Sequence, residues 1–215
     1  MTTFKALESS KDEDQNTLSI IEKNIDDLPD GDILIKVSYS SLNYKDALSA
    51  TGSPGVTKNY PHTPGIDAVG QVQESSDSAF KEGDEVIVTG YDLGMNTAGG
   101  FGQYIRVPAH WAIKLPNGLN EVEAMSLGTA GLTAGLSIQA LEKYSSTIGF
   151  EGSKSIVTGS TGGVGSIAVM LLSKLGSEVT AVTGKNTQKS FLEDLGATEV
   201  ISREELSEMT RLPMG

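Results

Sequence analysis

The sequence predicts an α/β protein in two parts, a β-rich first part and a second part that begins a doubly wound parallel sheet. Short β-branched runs separated by proline and glycine occupy the chain before residue 120, a pattern typical of β-strands. From residue 155 onward, strand and helix patterns alternate, which is typical of a parallel sheet. A glycine-rich turn joins the first strand and the first helix of this second part. We therefore predict two domains, residues 1–120 and 121–215.

The composition excludes several classes of protein. Asp and Glu total 28 against 16 Lys and Arg, which gives a formal net charge of −12 and opposes binding to nucleic acids. The chain has no cysteine, so it forms neither a disulfide framework nor a thiolate zinc site. Its first twenty residues lack the apolar core of a signal peptide, and no run approaches the ~18 apolar residues of a spanning helix. We expect a cytoplasmic protein without nucleic-acid or membrane partners.

Four strands and one short helix are predicted in the β-rich part. Each strand is a β-branched run bounded by turn signals such as Pro64-Gly65 and Gly99-Gly100. The predicted strands cover residues 33–39, 68–72, 85–89 and 104–107, and the predicted helix covers residues 44–50.

A long helix is predicted next, with Asn120 as its N-cap, Glu123 completing a capping box, and its end at Tyr144. The strand and helix patterns that follow predict strands at 155–160, 178–183 and 199–202 and helices at 164–176 and 186–196. No further element is predicted in residues 203–215. Three parallel strands leave an apolar edge uncovered. We expect either that the chain is a fragment or that a partner covers this edge.

The sharpest motif is the turn between the first strand and the first helix of the second part. Gly162 lets the backbone approach a diphosphate, Gly165 lets the helix lie close to the strand, and the helix N-terminus directs N–H groups toward the anion. Ser160 occupies the place of the first glycine in the G-x-G-x-x-G pattern. The predicted cofactor contacts are Ser160, Thr161, Gly162, Gly163, Val164 and Gly165. The alternative is a turn that only connects strand and helix.

The end of the second parallel strand favours NADPH over NADH. NAD sites place a carboxylate there for the ribose 2′-hydroxyl, whereas NADP sites supply a cation. Here the strand ends in Thr183-Gly184-Lys185, and no acid follows until Glu193. We predict that Lys185 binds the 2′-phosphate with help from Thr183 and Lys189. The alternative is that the two lysines form a solvated helix face.

Six motifs together resemble the medium-chain dehydrogenase/reductase superfamily, in its zinc-free quinone oxidoreductase-like branch and most closely the YhdH/YhfP group, which includes acrylyl-CoA reductases. The motifs lie at residues 41–46, 64–70, 82–86, 99–101, 128–134 and 159–165. The resemblance implies a GroES-like catalytic domain followed by a truncated Rossmann NADP-binding domain, with an active site in the cleft between them. It also implies a possible homodimer.

The resemblance further implies that zinc is absent. Asn43 stands where zinc-binding relatives have cysteine, and Ile66 stands where they have histidine. His62 and His110 are isolated histidines, which we interpret as surface or packing residues rather than ligands. Without a Lewis acid, the chemistry suits hydride addition to a C=C bond conjugated to a carbonyl or thioester.

The resemblance points to Asn43, Asp46 and Asp67 as the polar cluster that lines the active site. Tyr44 is a candidate proton donor at the α-carbon, because its phenol is the right kind of acid. Asn43 would donate to the substrate oxygen, and the two acids would orient the substrate or relay a proton. The alternative for Asn43 and Asp46 is turn and cap chemistry. Thr129 is expected beside the nicotinamide ring, or simply in the packing of small residues.

The leading functional hypothesis is NADPH-dependent reduction of an activated C=C bond, in acrylyl-CoA, a similar enoyl thioester or an enone. One alternative is quinone reduction. Two others are a non-catalytic dinucleotide-binding module and an interaction protein that uses the GroES-like part alone. Members of the family are longer and add a basic residue to the active site beyond this segment. We therefore expect weak NADPH binding and poor turnover from the 215 residues alone.

Overall fold

The structure, a computed structural model, describes residues 2–12, 15–144 and 149–210. The chain divides into two compact units, Met1–Thr129 and Ala130–Gly215. Within the described residues, no helix is both long enough and apolar enough to cross a membrane.

The first unit is built on a five-stranded antiparallel sheet with the order β6-β3-β4-β5-β7 and a separate hairpin, β1-β2. Its strands are β1 (Thr3–Asp12), β2 (Gln15–Asn24), β3 (Ile33–Tyr39), β4 (Asp67–Ser75), β5 (Glu85–Thr89), β6 (Tyr104–Val107) and β7 (Ala112–Lys114). A short helix, α1 (Tyr44–Ala50), follows β3. The core of the sheet consists of fully buried aliphatic side chains, among them Ile33, Ile35, Val72, Val86, Val88, Ile105 and Val107.

The sequence predicts β3, β5, β6 and α1 with the bounds that the structure shows, but it does not predict the hairpin. Strand β2 has no buried residue, so it carries no buried face from which a pattern could be recognised. The hairpin is attached through β1, by the buried side chains of Phe4 and Ala6 and by main-chain bonds. The N–H of Leu7 donates to the Phe101 carbonyl, and Ser9 and His62 exchange two bonds of 2.8 Å.

A helix-patterned segment, α2 (Glu121–Tyr144), contains a break at Gly128. The capping box at its start is confirmed, because Asn120 and Glu123 exchange backbone-to-side-chain hydrogen bonds of 2.9 Å. The sequence does not predict the break. Gly128 has φ +48°, and a Cβ there would lie 2.6 Å from Asp67 Oδ2. Only glycine fits this position, since both the backbone conformation and the space exclude a side chain.

The second unit contains a three-stranded parallel sheet with the order β10-β9-β8, as the strand and helix alternation predicts. Its strands are β8 (Lys154–Thr158), β9 (Glu178–Val182) and β10 (Glu199–Ile201), and its helices are α3 (Gly163–Lys174), α4 (Lys189–Asp194) and α5 (Arg203–Thr210). Buried Val157, Val169, Leu172, Val179, Ala181 and Leu192 form its core.

The absence of an element after residue 202 is a wrong prediction, because α5 begins at Arg203. The missed signal is a capping box of Ser202 and Glu205. The N–H of Ser202 donates to Glu205 Oε2 at 2.6 Å, and the N–H of Glu205 donates to Ser202 Oγ at 3.1 Å. Residues 211–215 lie outside the described residues.

Candidate functional site

The glycine-rich turn lies at the carboxyl end of β8 and leads into α3. Gly159 has φ +63°, and a Cβ on Gly165 would overlap the Gly159 carbonyl oxygen. Gly165 is therefore required for the close approach of α3 to the turn. Gly162, Gly163 and Val164 are exposed, so the turn presents backbone rather than side chains to solvent.

The first amides of α3 have no acceptor within the part of the chain that the structure describes. Gly162, the N-cap, donates its N–H to the Gly159 carbonyl at 2.9 Å, and helical bonding begins with the N–H of Ser166, which donates to Gly162. Among the described residues, no acceptor is found for the N–H groups of Gly163, Val164 and Gly165. Three aligned donors at the positive end of the helix dipole can bind an anion.

Ser160 shapes the turn. Its side chain is fully buried. The hydroxyl donates to the Val157 carbonyl at 2.6 Å and accepts the N–H of Val182 at 3.0 Å. The Ser160 hydroxyl therefore ties β8 to β9, while half-buried Thr161 and exposed Gly162 and Gly163 form the surface of the turn.

The residues after β9 are placed next to the same edge of the sheet, but they differ in their partners. Thr183 is buried, and its Oγ1 accepts the N–H of Lys185 at 3.0 Å. The Lys185 ammonium is exposed and, among the described residues, has no carboxylate within 4.0 Å. Lys189 instead pairs with Glu193 at 3.9 Å on the surface of α4.

The predicted polar cluster begins at the start of α1. Asn43 is the N-cap residue, and its N–H donates to Asp46 Oδ2 at 2.7 Å. The other oxygen of Asp46 accepts the N–H of Ile66 at 2.8 Å. Burial raises the pKa of the Asp46 carboxyl, although these two backbone donors oppose the shift. Asp46 therefore joins the helix start to the segment that precedes β4.

Asp67 is the centre of the cluster. It is fully buried and lies at the start of β4. Its carboxylate accepts hydrogen bonds from the hydroxyl of Ser41, from Asn43 Nδ2 at 2.9 Å, and from the N–H and Oγ1 of Thr129 at 2.9 and 2.7 Å. Asn43 Nδ2 also donates to Ser41 Oγ at 3.0 Å. Both amide hydrogens of Asn43 are thus used within the protein.

Tyr44 points away from this cluster. The side chain of Tyr44 is 81% exposed and that of Leu42 is 88% exposed, whereas Asn43 between them faces Asp67. Among the described residues, the Tyr44 hydroxyl has no hydrogen-bond partner. Asn43 is the N-cap and Tyr44 the first residue of α1, and of the two only Asn43 faces Asp67.

The histidines are separated. His62 is buried, its Nε2 has no partner in the described part of the chain, and burial lowers the pKa of its imidazole. His110 is exposed and packs edge-on against Tyr91 and Trp111. No group of three His, Asp or Glu residues suited to a metal ion occurs in the ranges that the structure describes.

Comparison with known proteins identifies the architecture. A family model described as the alcohol dehydrogenase GroES-like domain matches residues 29–117. The chain is 42% identical over 213 residues to acrylyl-CoA reductase AcuI of Ruegeria pomeroyi, an alignment that covers 98% of this chain and 64% of that protein.

Two crystal structures show the same fold. The yhdH oxidoreductase of Salmonella enterica in complex with NADP matches with a TM-score of 0.89 and 42% identity, over 94% of this chain and 61% of that one. The Bacillus subtilis protein yhfP with NAD bound matches with a TM-score of 0.93 and 44% identity, over 100% and 65%. The chain thus spans slightly less than two thirds of the length of these relatives. Over nearly all of its residues the chain is similar to members of the medium-chain dehydrogenase/reductase superfamily, in the quinone oxidoreductase-like YhdH/YhfP group.

Proposed function

We propose that this chain carries most of an NADPH-dependent oxidoreductase that reduces a C=C bond conjugated to a thioester or ketone. The observation that carries the proposal is the start of α3, where the N–H groups of Gly163, Val164 and Gly165 have no acceptor among the described residues. A relative named acrylyl-CoA reductase and a relative crystallised with NADP support the substrate class and the cofactor.

The residues of the second unit fit a dinucleotide. We assign the diphosphate to the turn residues Thr161, Gly162, Gly163, Val164 and Gly165, with Ser160 holding the turn in shape. We assign the adenosine ribose to Lys185 and Thr183 at the end of β9. Lys189, which pairs with Glu193, is the weaker helper. The bound reduced cofactor supplies a hydride.

Thr129 remains the proposed neighbour of the nicotinamide ring. Its backbone N–H and its hydroxyl are both bonded to Asp67. Its γ-methyl group is therefore the part that we assign to contact with the ring.

The polar cluster holds the reacting region, and Tyr44 supplies the proton. Charge that develops on the substrate carbonyl oxygen requires a hydrogen-bond donor. Asn43 has both amide hydrogens committed to Ser41 and Asp67, so we assign it and Asp67 to positioning. The Tyr44 hydroxyl is exposed and is a weak acid of the kind that protonates a carbanion. Asp46 fixes the helix on which Tyr44 lies.

We also propose that the reaction needs no zinc. The chain has no cysteine, and an amide and an alkyl side chain, Asn43 and Ile66, stand at the two positions where zinc-binding relatives carry ligands. Stabilisation of negative charge then depends on hydrogen-bond donors rather than on a Lewis acid.

The test is NADPH oxidation with acrylyl-CoA, enals and quinones, followed by the loss of NADPH absorbance. Tyr44→Phe is expected to lower kcat by roughly 10²-fold, the usual contribution of a general acid, while NADPH binding is retained. Tyr39→Phe, which alters another exposed tyrosine of the same unit, is the control and is expected to be neutral. Equal turnover of both variants would remove Tyr44 from the mechanism, and reduction of quinones alone would support the alternative substrate class.

A further inference from the structure

Three aromatic side chains form a stack on the surface of the first unit. The rings of Tyr91 and Trp111 are parallel to within 5°, and their centroids are 5.3 Å apart. His110 packs edge-on against both rings, with centroid distances of 5.8 Å to Tyr91 and 6.4 Å to Trp111. Trp111 also packs against the buried core of the five-stranded sheet, so the stack has a fixed base. We call these three residues the aromatic platform.

The outer ring of the platform is open to solvent. The Tyr91 side chain is 60% exposed although one face of its ring lies on Trp111. Its hydroxyl donates to the His110 carbonyl at 3.1 Å, and this hydrogen bond fixes the orientation of the ring. The face of Tyr91 that is turned away from Trp111 is therefore a flat and rigid surface of the kind on which another aromatic ring stacks.

The backbone of Tyr91 is strained. Among the described residues other than glycine, only Tyr91 has a positive φ, of +53°. A left-handed backbone is unfavourable for a bulky residue, and glycine or asparagine normally occupies such a position. Strain of this kind is found mainly at functional sites. A strained tyrosine whose ring faces solvent therefore indicates a role for the ring beyond the packing of the sheet.

The strand register places the platform at the same end of the sheet as the polar cluster, but not beside it. Asp67 on β4 pairs with Thr89 on β5, and Val88 on β5 pairs with Ala112 on β7. Trp111 precedes β7 and therefore comes level with Thr89. Because neighbouring strands are ~4.8 Å apart, Trp111 lies about 10 Å from Asp67 across two strands. A planar group on the platform is thus a different part of a ligand from the C=C bond at the polar cluster.

A thioester of coenzyme A has both parts. Its adenine is a flat aromatic ring system, and its flexible pantetheine arm separates the adenine from the acyl group that reacts. A small quinone or enone has a single planar part, which cannot lie at the polar cluster and on the platform together. We infer that the aromatic platform binds the adenine of a coenzyme A thioester, with the base stacked on the open face of Tyr91. The inference rests on the proposed function, which supplies the thioester.

The experiment compares propionyl-CoA with propionyl-pantetheine, which carries the same saturated thioester but no adenine. Calorimetry measures the two dissociation constants, and the emission of Trp111, the single tryptophan of the chain, reports binding at the platform. Propionyl-CoA is expected to bind about tenfold more tightly, the usual effect of one base stacked on an aromatic ring, and to change the Trp111 emission. Propionyl-pantetheine is expected to leave the emission unchanged.

Two variants of Tyr91 separate the ring from the rest of the structure. Tyr91→Leu removes the aromatic ring and should weaken propionyl-CoA about tenfold while propionyl-pantetheine is unaffected. Tyr91→Phe keeps the ring and loses the hydrogen bond to His110, so it should keep most of the affinity. Tyr39→Leu changes another exposed tyrosine of the same unit and is the control, which should be neutral. Urea unfolding midpoints establish that the variants are folded.

Three outcomes would overturn the inference. The first is equal affinity for the two thioesters. The second is a Tyr91→Leu variant that keeps its affinity for propionyl-CoA, or that loses affinity for both thioesters equally. The third is a Trp111 signal that NADP⁺ abolishes, which would assign the adenine to the turn before α3. In each case NADPH binding, followed by nicotinamide fluorescence in the same protein, leaves the dinucleotide site standing. If neither NADPH nor either thioester binds, the proposed function fails as well.

Discussion

The carboxylate of Asp67 accepts hydrogen bonds from Ser41, Asn43 and Thr129 of the first unit. It is fully buried, and its donors come from two segments of the chain. Ser41 and Asn43 lie at the start of α1, and Thr129 lies after the break in α2. A buried carboxylate is tolerated when donors surround it. The same bonds fix the relative positions of Asn43 and Thr129, two residues that the proposed function places near the reaction.

Replacing Asp67 by Asn tests this role. The substitution replaces one carboxylate oxygen of Asp67 by an NH2 group. This group faces hydrogen-bond donors and cannot accept their hydrogen bonds. We expect the free energy of unfolding to fall by about 2–4 kcal/mol, the range for breaking buried hydrogen bonds to a charged group. Urea unfolding measures the change, with Asp30→Asn at an exposed loop position as the control. A loss below about 1 kcal/mol, the level of a single ordinary hydrogen bond, would show that the network does not stabilise the fold.

His62 predicts a pH dependence of stability. Burial is the main cause that lowers the pKa of its imidazole, with Lys23 adding to the shift and the Gly94 carbonyl and Asp92 opposing it. Because the unfolded chain takes up the proton first as pH falls below about 6.5, stability is greatest above that pH. It decreases as pH falls from there to the lower pKa of the folded protein.

The measurement is the urea midpoint as a function of pH between about 5 and 7.5, on either side of the unfolded-state pKa of histidine. His62→Gln removes the titrating group and should flatten the curve. His110→Gln, at the exposed histidine, should leave the slope as it is. A slope that survives in His62→Gln would assign the pH dependence to other groups.

At the scale of elements, two glycines of the second unit have opposite roles. A Cβ on Gly165 would overlap the Gly159 carbonyl, whereas a Cβ on Gly135 in α2 would meet nothing within 4 Å. We expect Gly165→Ala to lower the free energy of unfolding by about 1–3 kcal/mol. Gly135→Ala should raise it by about 0.5–1 kcal/mol, since alanine is the better helix former. Urea unfolding of both variants checks the pair, and equal effects would contradict the geometry of the turn.

A local sequence pattern predicts a strand or helix when that element alone shows the pattern of buried residues or the capping pair. Strand β5 alternates buried and more exposed residues, and β3 begins with three successive buried aliphatic residues, Ile33 to Ile35. The Asn120–Glu123 pair marks the start of α2. The hairpin lacks such a signal because β2 has no buried face. The break at Gly128 depends on Asp67, which is far away in sequence, so no local pattern reveals it.

The candidate site follows the same rule. Asn43 and Asp46 lie three residues apart at a helix start, a spacing that sequence shows directly. The resemblance adds Asp67, and the structure brings it within 2.9 Å of Asn43. The approach of Arg203 to Gly184 arises only from the register of β9 and β10. Contacts made across a sheet are not visible in spacing along the chain.

The whole molecule carries a net charge of −12, which repels an anionic nucleotide. Binding of such a nucleotide therefore depends on positive groups close to the site. Positive potential must come from the amides at the start of α3 and from Lys185, which follows the adjacent strand β9. The chain spans 64% of the acrylyl-CoA reductase that it resembles. Turnover is therefore an assay for proteins of the relatives' full length. Binding of NADPH to the second unit can be measured on the residues of this chain.

The central claim is that the amides opening α3 receive the diphosphate of NADPH. An NMR titration that follows backbone amide shifts tests it most directly. The account predicts saturable shifts that are largest at Gly163, Val164 and Gly165 and that are lost when the turn is distorted by Gly165→Ala. Saturable NADPH binding that leaves these three amides unmoved, or no binding at all, would contradict it.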